Sequence, residues 1–72
     1  MLLDGKQIKI SMPCLKKYEG KKVKILLKRD IDNRHGTVHP FLAIIESVVR
    51  KNIITPCDSY YFSEIREIVE AE

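Results

Sequence analysis

The stretch from Gly20 to Arg29, Gly-Lys-Lys-Val-Lys-Ile-Leu-Leu-Lys-Arg, limits what this chain can fold into more than any other. Side chains of a strand point alternately to its two faces, so Val23, Ile25 and Leu27 share one face while Lys22, Lys24 and Lys28 share the other. Leu26 is the one apolar residue on the polar side. The pattern predicts a half-buried strand with an apolar wall behind it and, in front, ammonium groups spaced about 7 Å apart by the strand rise. Turn formers follow at once in Asp30-Ile31-Asp32-Asn33-Arg34, and His35-Gly36-Thr37-Val38 reads as a returning strand with a bulge or sharp bend at Gly36.

A chain of 72 residues has too little interior for two cores, so residues 1–72 are expected to form one domain. It has no Trp, two Phe and three Tyr, which leaves the core to Ile, Val and Leu. A small core of that kind gains from subunit contacts, and a homo-oligomer is expected, with Leu26 and Leu42 as exposed apolar positions. Charge is unevenly distributed around the net +3. Residues 1–29 carry nine Lys or Arg against Asp4 and Glu19, and residues 58–72 carry Arg66 against five carboxylates. The basic half can face a polyanion or dock on the acidic half of another subunit. The N-terminus lacks the apolar run of a signal peptide, and no stretch approaches the roughly 20 apolar residues of a membrane span. A cytoplasmic protein with Cys14 and Cys57 reduced is the expectation.

The flanking segments fit a β-rich plan. Leu2 to Ile10 reads as a short strand or ordered arm, and Ser11, Pro13 and Gly20 bracket one or two helical turns with Leu15 and Tyr18 facing inward. Pro40 to Asn52 supports two readings. Phe41, Ile44, Ile45, Val48 and Val49 would share one helical face, but the β-branched run through Ile53 and Ile54 favours strands joined by turns at Glu46-Ser47, at Lys51-Asn52, or at both. Strands are preferred here, with a helix at 40–51 and an α+β fold as the alternative. Tyr60-Tyr61-Phe62 reads as an aromatic strand, and the stretch from Ser63 to Val69 as a helical turn leading into a last strand, or else a short helix.

In this order the elements resemble the Sm-like branch of the SH3-like small barrels, and in particular the Hfq family of RNA chaperones. Pro13 and Leu15 match that family's helix start, Val23-Lys24-Ile25-Leu26-Leu27 its first strand, Gly36-Thr37-Val38 with Phe41 its second, and Tyr61, Ile65, Ile68 and Val69 its closing spacing. The resemblance implies a strongly bent five-stranded barrel under a short N-terminal helical turn, and rings assembled through strand edges. Leu42 stands where the family carries an Asp, and Phe62-Ser63 where it carries the Lys-His pair that contacts uridine, so its RNA site does not transfer residue by residue.

Chemistry other than binding finds little support. His35 and His39 with Cys14 or Cys57 match no zinc spacing, no Gly-rich phosphate loop appears, and Cys14 or Cys57 as a nucleophile would need a positioned base that only His35 or His39 could supply. No metal, no cofactor and no catalytic residue is therefore expected. The strongest signal is basic residues interleaved with aromatics. Lys16, Lys17, Lys21, Lys22, Lys24, Lys28, Arg29 and Arg34 would contact phosphates, and Tyr18, His35 or Tyr60 would stack on bases of RNA or single-stranded DNA. The competing expectation is a protein interaction or assembly module with no nucleic-acid partner.

Overall fold

The computed structural model describes residues 2–32 and 34–71. Met1, Asn33 of the turn expected at 30–34 and Glu72 of the acidic tail lie outside them. The chain is mainly β. Helix α1 (Met12–Lys16) is followed by β1 (Lys22–Leu27), β2 (Ile31–Asp32), β3 (Thr37–Val38), β4 (Phe41–Ile44), β5 (Ser47–Val49), β6 (Asn52–Ile54), β7 (Ser59–Tyr61) and β8 (Ile65–Glu70). These strands form three antiparallel sheets, ordered β4-β1-β8, β2-β3 and β5-β6-β7.

The alternating stretch forms β1, the central strand of its sheet, and Val23, Ile25 and Leu27 enter the main core with Leu15, Ile45, Val48, Ile53, Ile65 and Ile68. Its other face departs from expectation. Leu26 is fully buried rather than exposed, beneath Leu3 and Val69 and flanked by Ile31 and Val38. Lys24 is half-buried, and Lys28 leaves the strand for a 3-10 turn at Lys28–Asp30. The N-terminal arm causes the first change. Ile8 N–H donates to the Ile68 carbonyl at 2.9 Å and Glu70 N–H to the Lys6 carbonyl at 3.1 Å, which lays the arm along the outer edge of β8. Glu67, opposite Leu26 on β8 and only 6% exposed, accepts from Gln7 Nε2 at 2.9 Å and from Leu2 N–H. The arm is thereby tied over the apolar patch.

Residues 41–54 are strands, and the helical alternative does not occur. A helix would have buried Ile44 and Val49 with Ile45 and Val48, yet Ile44 is 43% and Val49 46% exposed while the other two are buried. Neighbouring residues Ile45 and Glu46 bond to different sheets: Ile45 N–H donates to Lys21 at 3.1 Å, and Glu46 N–H to Ile54 at 2.8 Å. The chain thus bends from the first sheet into the third at this dipeptide. The hairpin turn falls at Arg50-Lys51, one residue earlier than expected, between the closing pair Val49 and Asn52. Gly36, expected as a bulge inside a strand, lies in the β2–β3 turn with φ of 68°. Phe62 opens a 3-10 turn at Phe62–Glu64 instead of ending the aromatic strand, and β8 follows directly. No helix among the described residues is long and apolar enough to cross a membrane.

Candidate nucleic-acid interface

A helix of five residues has little stability of its own, and α1 is held by its burial. Pro13 sits in the first turn, Ser11 at the N-cap makes no side-chain bond, and Leu15 is fully buried in the main core. Beyond Lys16 the chain turns through Tyr18 and Glu19, and Gly20, at φ of 84°, swings it into β1. Lys16, Lys17, Lys21 and Lys22 are left exposed around the half-buried Tyr18. A groove of about 440 Å³ opens here, lined by Tyr18, Lys21, Lys22, Glu70 and Ala71.

Two carboxylates of this region accept hydrogen bonds from neutral donors, and Glu70 lines the groove itself. Glu19 accepts the Val48 N–H at 2.8 Å, and Glu70 accepts the Tyr18 hydroxyl. Among the described residues the side-chain ion pair is Arg29 with Asp30, at 3.9 Å, so the groove lysines are not neutralised by direct contacts. The hydrogen bond to Glu70 raises the Tyr18 pKa above the ordinary 10.0, helped by burial, by the Glu70 charge and by Cys14. Tyr18 therefore stays a neutral donor at ordinary pH.

The ten sequence-predicted site residues do not form one surface. Tyr18, Lys21 and Lys22 line the groove at the start of β1, and Lys16 and Lys17 precede them at the end of α1. Lys28 and Arg29, in the 3-10 turn, and the exposed Arg34 and His35, in the β2–β3 turn, lie past its far end, about 20 Å away by the strand rise. Asp32 Oδ1 shapes that turn by accepting from Arg34 N–H at 3.0 Å and His35 N–H at 3.4 Å. Lys24 stands between the groups, level with Leu42 on β4 and Val69 on β8. Tyr60 is a poor stacking platform, because Phe41 lies against its ring at 5.4 Å with a 48° tilt. Burial, more than the nearby Asp58, raises its pKa as well, while Arg29 opposes the shift.

Sequence reasoning missed Glu70 and Ala71 as groove residues. They arrive from the other end of the chain through the β1–β8 register, which pairs Val23 with Glu70, and no local pattern announces that. It also missed a second, more apolar groove of about 320 Å³, lined by Lys22, Phe41, Leu42, Ala43, Ile44, Thr55, Pro56 and Cys57. Cys14 and Cys57 are free, and no group of three or more His, Cys, Asp or Glu among the described residues could hold a metal ion. Comparison with protein-family models, curated proteins and solved structures gave no match.

Proposed function

We propose that this chain is a non-catalytic small β domain that binds RNA or single-stranded DNA through the lysine-lined groove beside Tyr18. The observation that carries the reading is that Lys16, Lys17, Lys21 and Lys22 are exposed and, among the described residues, none of them is in an ion pair, although Glu70 keeps its negative charge in the groove. Lysines without ion-pair partners are free to neutralise phosphates, and release of the cations condensed on the nucleic acid is what drives non-specific binding. A single strand suits the site better than a duplex. Tyr18, beside Lys21 and Lys22, offers a ring on which an unpaired base can stack, and a base paired inside a duplex cannot reach it.

An SH3-like or Sm-like barrel is the architecture that goes with this reading. Its support is the bend at Ile45-Glu46, which hands one strand path from β1 to β6, and the 3-10 turn before β8, which returns to pair with β1. Ring assembly through the β8 edge would need the N-terminal arm to leave it. β4 and β7 each carry a single ladder.

Fluorescence anisotropy with a labelled mixed-sequence single-stranded oligonucleotide at low salt tests the function. Changing Lys16, Lys17, Lys21 and Lys22 together to Glu should reduce binding to background, with the circular-dichroism spectrum unchanged. Changing the exposed Lys6 and Lys9 to Glu should leave most of it. Equal binding by wild type and the fourfold variant would remove the groove from the account.

A further inference from the structure

β4 (Phe41–Ile44) pairs with β1 on one side, and its other side faces the second groove, beyond which stand Thr55, Pro56 and Cys57. β6 ends at Ile54, short of covering that edge. Pro56 has no amide hydrogen to continue a ladder, and Thr55 closes a turn on Asp58, its N–H donating to the Asp58 carbonyl at 2.8 Å and its hydroxyl at 2.7 Å.

Ladder parity fixes what the open edge offers. Ile45 bonds toward the β1 side, donating to Lys21 and accepting from Gly20 N–H. Alternate residues of an antiparallel strand bond to the same side, so Ala43 and Phe41 serve β1 while Leu42 and Ile44 direct N–H and C=O into the groove. Among the described residues neither Leu42 nor Ile44 has a backbone partner outside the ladders. Pro40 has the same parity, so its missing N–H falls on the groove side and takes nothing from β1. Pro40 blunts the start of this edge, and beyond it Phe-Leu-Ala-Ile carries no charge, proline or bulge of its own. Leu42 is 60% exposed.

We propose that this groove takes an extended acidic and apolar peptide segment of a partner protein, added to β4 as a strand. Charge complementarity selects its chemistry: Lys22 is the charged side chain lining the groove, and Lys24 stands beside Leu42 on the same face. A strand with carboxylates on that face and small apolar side chains toward Phe41 and Ala43 satisfies both walls. A second copy fits less well, because its β4, Phe-Leu-Ala-Ile, has no carboxylate to set against Lys22. This surface is distinct from the lysine groove, although Lys22 borders both.

The test uses a fluorescein-labelled peptide of alternating Glu and Val, six residues long in the design, read by anisotropy. The protein is expected to bind it saturably, with a Lys and Val peptide of equal length about tenfold weaker or more. Methylating alternate backbone nitrogens of the Glu and Val peptide removes its donors without touching the protein and should also cost about tenfold. Leu42→Pro, which deletes one groove-facing donor at a position edge strands tolerate, should weaken the peptide while leaving oligonucleotide binding unchanged. That last readout confirms the variant is folded and separates this inference from the nucleic-acid reading. Three results would overturn it: no saturable binding, equal binding of the methylated peptide, or sedimentation showing self-association through β4 that Leu42→Pro abolishes without any peptide binding.

Discussion

Arg50 and Lys51 occupy left-handed backbone, φ 51° and 65°, because a two-residue hairpin between right-twisted strands needs positive φ at both positions. Each costs an L-residue about 1–2 kcal/mol, and glycine avoids that at some loss of chain entropy. Lys51→Gly is therefore expected to stabilise by about 0.5–1 kcal/mol and to raise Tm by roughly 2–8 °C, and a thermal melt with an unchanged or lower Tm would contradict it. Tyr18 carries a second residue-scale expectation. Its raised pKa means the folded state holds the phenolic proton to higher pH than the unfolded state does, so this contribution to stability is complete below pH 10.0 and fades as pH climbs through the folded value. Since the Glu70 hydrogen bond is the main cause, Glu70→Gln should return one tyrosine transition toward 10.0 in an ultraviolet titration. Tyr60, shifted mainly by burial, should stay where it is.

Among the elements, β1 was the most legible, because period-two alternation states directly which side is buried. Leu26 was misjudged for a physical reason: what covers it is the arm through Leu3, a contact set by tertiary docking that leaves no periodicity in either segment. The stretch at 41–54 was legible as strand through β-branching, but its turn was placed one residue late because Arg-Lys is not a type I′ turn sequence. The arm itself makes a prediction. Glu67 holds it through Leu2 N–H and Gln7 Nε2, so Glu67→Ala should cost about 1–3 kcal/mol, each kcal/mol lowering Tm by roughly 4–8 °C. Hydrogen exchange at the Ile8 amide, which bonds to Ile68, should speed up first. If Ile8 stays as protected as in wild type, Glu67 does not hold the arm down.

At the scale of the whole molecule, the charge asymmetry read from the sequence survives folding only in part as a surface. β1 separates the predicted cations into two groups, and the acidic C-terminal strand lies against the basic central one, with Val23 paired to Glu70. Half of the candidate site was visible because residues 16–22 are contiguous in the chain. The rest depended on strand register. What remains concentrated is the lysine groove, and its salt dependence tests the central claim most directly. If four lysines engage phosphates, the logarithm of the association constant for a single-stranded oligonucleotide should fall linearly with the logarithm of salt concentration, at a slope near about −3. Binding that is absent at low salt, or present with a slope near zero, would contradict the account.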